Sequence, residues 1–187
     1  MKNYQITEWC HHFIKEHVRD GDCCIDATAG NGNDTLLLCE LVGESGKVFA
    51  FDIQEEAVAN TKRRLSEHDV LNRAQIMLES HINMGKYVEK DSVSCIVFNF
   101  GYLPGGDHSL ATKEGTSIAA IYEGLKLLKK GGMMSLCIYS GGDSGFGERD
   151  AILGELKKLD KKKYLVIVSE YYNRPNNPPI PAIIIKL

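Results

Sequence analysis

The chain has 187 residues, with 22 Lys+Arg against 25 Asp+Glu and a formal net charge of −3, and 43% of its residues are hydrophobic. This balance excludes a disordered chain and a protein that holds nucleic acid by bulk positive charge, while the length suits one domain, here 1–187, with a substantial core. No run of about 18 apolar residues is present to cross a bilayer, and Met1-Lys2-Asn3-Tyr4-Gln5-Ile6-Thr7-Glu8 lacks the basic-then-apolar order expected of a secretory signal.

In chain order, an amphipathic stretch near 5–18 predicts a helix packed across one end of a sheet. Short apolar runs then alternate with longer amphipathic stretches. The runs are Cys23–Ala27, Val48–Asp52, Ala74–Leu78, Val93–Phe98 and Met133–Tyr139. Helical patterns occupy about 33–42, 54–67, 115–129 and 147–159. Gly131-Gly132 after Lys129-Lys130 reads as a helix stop, with cations at the negative end of the dipole. Near-continuous apolar strands imply a sheet covered on both faces, hence parallel pairing in a doubly wound α/β fold. The tail breaks this rhythm. Tyr164 through Tyr172 and Ile180 through Leu187 are β-rich, and 173–179 between them is too short for a crossover helix. The last two strands are therefore predicted to form an antiparallel hairpin, giving a Rossmann-like sheet of seven strands with one reversed. The cysteines at 10, 23, 24, 39, 95 and 137 include no Cys-x-x-Cys pair and mostly lie in apolar runs. Reduced, buried thiols and a cytoplasmic setting are expected, and no metal site.

Asp26-Ala27-Thr28-Ala29-Gly30-Asn31-Gly32-Asn33-Asp34-Thr35 follows the first strand and opens the first helix of the alternating series. Gly30 and Gly32 permit a tight turn with backbone close to a ligand, and N–H groups at the helix start face that ligand. Asp52 ends the second strand and is placed to accept two hydrogen bonds from a ribose diol, with Ile53 and Gln54 beside it. A dinucleotide fingerprint requires a third glycine where this chain has Thr35. Asp26 suits instead the amino group of S-adenosylmethionine, and Asp34 tolerates a sulfonium where it would repel a pyrophosphate. An NAD-dependent oxidoreductase and a ligand-binding module without chemistry are the readings of other classes.

Together with Phe51-Asp52-Ile53-Gln54 and Phe98-Asn99-Phe100-Gly101-Tyr102-Leu103-Pro104-Gly105-Gly106-Asp107, the glycine loop resembles one group of class I methyltransferases, long labelled putative rRNA methylase. Members of that group methylate the aminomethyl group of 5-aminomethyl-2-thiouridine at the tRNA wobble position. The resemblance spans nearly the whole chain. It implies S-adenosylmethionine as cofactor, the anticodon region of tRNA as partner, and the seven-stranded methyltransferase sheet. An rRNA base or a small molecule is the alternative acceptor.

Asn99-Phe100-Gly101-Tyr102 resembles the Asn/Asp-Pro-Pro-aromatic loop of amino-methylating enzymes, with Phe100 and Gly101 in place of the prolines. Asn99 is expected to accept a hydrogen bond from the attacking amine, and Tyr102 to stack on the base. Asn99, Phe100 and Gly101 are also expected to line the donor site, as are Thr28, Asn31, Asn33 and the Ser80-His81 pair after the third strand. Asp107, His108, Tyr139 and Arg174 are candidates for substrate contact, as is Lys113, although a mobile polar loop accounts equally well for Asp107, His108 and Lys113. The segment around Arg174, with Tyr171 and Tyr172, suits RNA or a second subunit, so a homodimer is a further expectation. His11-His12 reads as a solvated helix face. The lysines at 157, 158 and 161–163 read as a solvated helix end or a phosphate contact. The resemblance departs at one place: Tyr139-Ser140-Gly141-Gly142-Asp143-Ser144-Gly145-Phe146-Gly147-Glu148 has no histidine where the family commonly carries a Gly-His stretch. No general base is assigned.

Overall fold

The apolar runs become strands because their β-branched, sulfur-bearing and aromatic side chains fill both faces of a pleated layer. The computed structural model describes residues 5–101, 114–140 and 145–187. Its elements are α1 (Ile6–His17), β1 (Cys23–Asp26), α2 (Asn33–Val42), β2 (Lys47–Asp52), α3 (Glu55–Glu67), β3 (Ala74–Leu78), β4 (Val93–Phe100), α4 (Glu114–Leu127), β5 (Leu128–Ile138), α5 (Gly145–Leu156), β6 (Tyr164–Val168) and β7 (Ile180–Lys186). The seven strands form one sheet in the order β3-β2-β1-β4-β5-β7-β6. The pairs β1–β2, β1–β4, β2–β3 and β4–β5 are parallel. β7 runs antiparallel to both β5 and β6, as the short connection before it requires.

The order reverses between β1 and β4. In an open α/β sheet, ligands bind outside the carboxyl ends of the strands at such a switch point. β4 is buried at seven of its eight positions, only Asn99 being partly exposed. On one face Ile96, Phe98 and Phe100 pack with Met84, Ile121, Leu125 and Ile152. On the other, Cys24, Cys95 and Val97 meet Ile14, Leu38 and Leu65. α3 illustrates the local logic: Ala57, Val58, Thr61 and Leu65 form its buried stripe, with Glu55 and Glu56 in the first turn and Arg64 in the last, matching the helix dipole.

The structure differs from the sequence reading in two places. α1 lies on a face of the sheet, against β5 and β7, and not across its end, because its buried stripe Ile6, Cys10 and Ile14 needs an apolar floor and finds it over Cys137, Met133 and Ile183. α4 ends at Leu127, and β5 begins at once, so Lys129 through Gly132 belong to a strand and not to a helix stop. The glycines serve a register shift opposite Val93 and Cys95: Gly131 has φ +78°, and a Cβ on Gly132 would meet the carbonyl oxygens of Lys129 and Val93 at 2.8 and 2.9 Å. Lys129 pairs with Asp22 at 2.8 Å. The lysines at 161–163 precede β6, at the edge of the sheet opposite the carboxyl ends of β1 and β4, whereas the segment 169–179 between β6 and β7 lies at the same edge as those ends. That segment turns with Asn176 and Asn177 at φ 64° and 47°, a conformation asparagine tolerates.

All six cysteines are free, and all but Cys23 are buried. Among the described residues no helix is long and apolar enough to cross a membrane.

Removing three carbons from the buried core has a calculable cost. Ile96→Ala is expected to lower stability by about 2–5 kcal/mol, whereas Ile167→Ala on the exposed edge strand should change it by about 1 kcal/mol or less; urea unfolding midpoints at constant m-value check both.

Candidate active site

The loop after β1 is drawn into its shape by two carboxylates. Asp26, at the end of β1, has no exposed surface; its Oδ2 accepts from Thr35 Oγ1 at 2.6 Å and its Oδ1 from the Thr28 N–H at 3.1 Å. Asp52, at the end of β2, accepts from the Gly30 N–H at 2.9 Å and from the Gln54 N–H at 3.0 Å. Between them the chain closes a tight turn, Gly32 N–H to Ala29 carbonyl at 2.8 Å. Gly30 and Gly32 take φ +53° and +77°, which glycine adopts without steric cost. Gly32 is the N-cap of α2, so the first N–H groups of that helix open beside the loop.

α3 braces the outer side of the loop. Asn60 Nδ2 donates to Asn31 Oδ1 at 3.1 Å, Thr61 Oγ1 to the Gly30 carbonyl at 3.1 Å, and Arg64 Nε to the Asn31 carbonyl at 2.7 Å. A Cβ on Gly32 would meet Thr61 Cα at 2.9 Å, so this glycine is also a packing requirement. Asn33 is exposed on the first turn of α2.

Burial shows what three of the candidate side chains do within the fold. Asp26 and Thr35 bond each other in the interior and hold the loop. Phe100 is also fully buried, stacked on Phe98 with ring centroids 5.0 Å apart, and belongs to the core. Burial, with the nearby Asp34 charge, raises the Asp26 carboxyl to about 7.

The switch point itself is closed by a hydrogen bond from the Asn99 N–H at the end of β4 to Thr28 Oγ1, 2.8 Å. The Asn99 side chain donates from Nδ2 to Asp34 Oδ2 at 2.5 Å, and Asp34 Oδ1 faces His11 Nε2 at 2.5 Å. Asp34 and Asn99 are thus brought together as the loop and the fourth-strand end, and His11 joins them from α1. The reading of His11-His12 as one solvated face is corrected: His12 is exposed, but His11 is turned inward, its side chain 16% exposed.

Ser80 and His81 open the short helical turn His81–Lys86 after β3. The His81 ring is turned onto the sheet, with Nδ1 3.2 Å from the Ala27 carbonyl and the ring in an edge-to-face contact with Phe98, centroids 5.9 Å apart. A carbonyl only accepts, so Nδ1 carries the proton and Nε2 is left as a buried acceptor with no partner among the described residues. Burial lowers the pKa of this ring, which keeps Nε2 unprotonated. Glu79, which the sequence reading passed over, ties the turn by accepting from the Ser80 N–H and from Asn83 Nδ2, each at 2.8 Å. Its signal was its place at the end of the third apolar run.

The remaining candidates separate by position. Ile53 is 55% exposed just beyond Asp52, an apolar ledge at the mouth of the site. Gly101 sits against the Tyr139 side chain, and Tyr139, just past the end of β5, packs against Ile6, Cys10 and Cys137. Arg174 is exposed on the 169–179 segment, beside the fully exposed Tyr172. Tyr102, Asp107, His108 and Lys113 lie outside the described residues.

These features fit an adenosyl amino acid without a phosphate. The loop presents backbone N–H groups but no lysine or arginine side chain, the Asp52 carboxylate keeps acceptor capacity beyond the two N–H bonds it takes, and His81 Nε2 waits for a donor. The chain matches the family described as "Putative rRNA methylase" over residues 48–185. It is 33% identical, over 93% of its own length and 67% of the relative's, to tRNA (mnm(5)s(2)U34)-methyltransferase, chloroplastic, of Arabidopsis thaliana. The putative rRNA-methylase of Clostridium thermocellum superposes with TM-score 0.96 at 42% identity, with both chains covered completely. A putative methyltransferase of Streptococcus mutans, solved in complex with SAH, superposes with TM-score 0.89 at 34% identity over 99% of each chain.

The raised Asp26 pKa has a sign. A carboxyl that titrates near 7 in the fold and near 4 when unfolded contributes stability at low pH that is lost as pH rises through that window. Melting temperatures of Asp26→Asn and wild type, compared from pH 5 to 8, should therefore diverge in favour of the variant as pH rises; a constant difference would contradict the buried charge. On the family match over residues 48–185 and the three similar chains, the protein belongs to the putative rRNA methylase family and carries the fold of S-adenosylmethionine-dependent methyltransferases.

Proposed function

We propose that the protein transfers a methyl group from S-adenosylmethionine to an amino group on RNA, and that the acceptor is the 5-aminomethyl group of 5-aminomethyl-2-thiouridine at the tRNA wobble position. The observation that carries the chemistry is the Asn99 amide. Because Asp34 accepts from its Nδ2, the group that Asn99 can turn toward an incoming amine is the acceptor Oδ1. The acceptor's identity is supported by the Arabidopsis relative and by the Asn99-to-Asp107 motif.

When bound, the donor supplies an electrophilic methyl group on a sulfonium, a leaving group that needs no acid. The chain's residues do the rest. Asn31, between the two glycines, and the start of α2 offer N–H groups, and Asp52 takes the ribose hydroxyls, with Ile53, Gln54, Ser80 and His81 around the base. Asn99 aligns the amine, whose proton is lost before attack; enclosure beside a positive charge disfavours the ammonium form and lowers its pKa. Alignment of this kind accounts for most of what such a transfer requires. Tyr102, Asp107, His108, Tyr139 and Arg174 are assigned to the RNA side, Arg174 and Tyr172 from the segment at the site's edge of the sheet.

A second reading keeps the fold and the donor but changes the acceptor to an rRNA base or a small molecule. The absence of histidine from 139–148 favours it, since a proton-handling group common in the family is missing there.

Adenosylhomocysteine at a hundred times its Kd should stabilise the protein by about 2.7 kcal/mol, a rise of roughly 5–10 °C in melting temperature for a chain of this size, while NAD should give none. Asp52→Ala should abolish the rise, and Asn99→Ala should keep it while turnover falls about a hundredfold. Nucleoside mass spectrometry of tRNA from cells lacking the protein should show accumulated 5-aminomethyl-2-thiouridine; an unaltered profile would transfer support to the second reading.

A further inference from the structure

We infer that His11, through Asp34, is a positioning residue for the methyl acceptor: a His11–Asp34–Asn99 chain that fixes which way the Asn99 amide faces. The inference rests on the reading of Asn99 as the group that aligns the amine.

The three residues come from three elements. His11 is on α1, Asp34 in the first turn of α2, and Asn99 at the end of β4. His11 Nε2 to Asp34 Oδ1 and Asn99 Nδ2 to Asp34 Oδ2 are both 2.5 Å. His11 and Asp34 are only 16% and 14% exposed, at a small cleft also lined by Cys10, Ser135, Cys137 and Asn99. A primary amide has two ends of nearly equal shape and opposite chemistry. A carboxylate only accepts, so Asp34 selects the Nδ2 end and leaves Oδ1 as the acceptor that Asn99 can present. That selection holds only while Asp34 keeps its own orientation. One of its oxygens is engaged by Asn99; the other needs a donor of its own, or the carboxylate can swing and take both bonds to one oxygen. His11 is that donor.

The ring is a hydrogen-bond donor here, because a carboxylate only accepts and the Nε2 that faces Asp34 must carry the proton. Its protonation state agrees with the role. Burial alone would lower its pKa, but the hydrogen bond and charge of Asp34 and the charge of Glu8, against Lys15, leave it raised. α1 thereby becomes part of the site, which gives its seat on the sheet face a functional consequence.

The test combines kinetics with a readout that needs no acceptor. With tRNA bearing 5-aminomethyl-2-thiouridine, His11→Ala should lower kcat about tenfold with the KM for S-adenosylmethionine unchanged. His11→Gln, whose Nε2 lies near the place of the ring nitrogen, should recover most of that loss. Calorimetry with adenosylhomocysteine should give the same affinity for wild type and both variants. In ¹⁵N-HSQC spectra, the Asn99 side-chain amide pair, assigned by its loss in Asn99→Ala, should shift in His11→Ala and stay near its wild-type position in His11→Gln. An Asn99 amide signal unmoved by His11→Ala would overturn the relay whatever the acceptor proves to be. So would an unchanged kcat, or a loss that appears only in donor affinity. Wild-type protein that transfers no methyl group to this tRNA, but shows the amide shift, would overturn the proposed acceptor and leave the chain of contacts standing.

Discussion

A loop that offers its backbone N–H groups to a ligand cannot spend all of them on itself, and something beneath it must hold it in place. Here that support is Asp26, a carboxylate without exposed surface that takes the Thr35 hydroxyl and the Thr28 N–H. Asp52 completes the frame from the neighbouring strand by taking the Gly30 N–H. The two side chains convert three glycine-loop residues of high freedom into a fixed turn. The cost is a desolvated carboxyl pushed up to about 7. A fold selected for stability alone has little reason to keep a group in that condition, and perturbed groups of this kind gather at functional sites.

From this frame the site extends across the switch point in the sheet. Thr28, released by the turn, accepts the Asn99 N–H and so joins the end of β1 to the end of β4. Asp34, carried round by the same turn into the first helical step of α2, meets the Asn99 side chain and the ring of His11. The ends of β1 and β4 are therefore coupled through a few short bonds and not through a long path of packing. Movement of the loop would move Asn99 with it.

The same topology sorts the surface. β7 alone runs against the other strands, so the segment between β6 and β7 emerges at the carboxyl edge with Tyr172 and Arg174, while the lysines at 161–163 emerge at the far edge. The lysines carry the denser charge, but the direction of the strands puts the aromatic segment, and not the lysines, at the edge where β1 and β4 end.

Much of this was legible in the residues. Period and run length separated strands from helices, because burial on both faces of a central strand forbids polar alternation; β4, from Val93 to Phe100, is the clearest case. The seven-residue link 173–179 dictated the reversed strand, since a parallel return cannot be made so short. The glycine loop and Asp52 were visible because close backbone approach and an acidic strand end leave few alternatives in residue type. What the sequence could not show is which face a side chain turns to and what it meets there. Asp26, Thr35 and Phe100 have the chemistry of ligand contacts yet face inward. His11 has the pattern of a solvated helix yet sits against Asp34, and Lys129-Lys130-Gly131-Gly132 has the pattern of a helix stop yet builds a strand bulge. These outcomes depend on partners tens of residues away, such as Asp34 for His11 and Val93 for Gly132. Local spacing records only the near neighbours; the contacts between distant segments exist once the chain has closed its sheet, and only there is the role of each polar group decided.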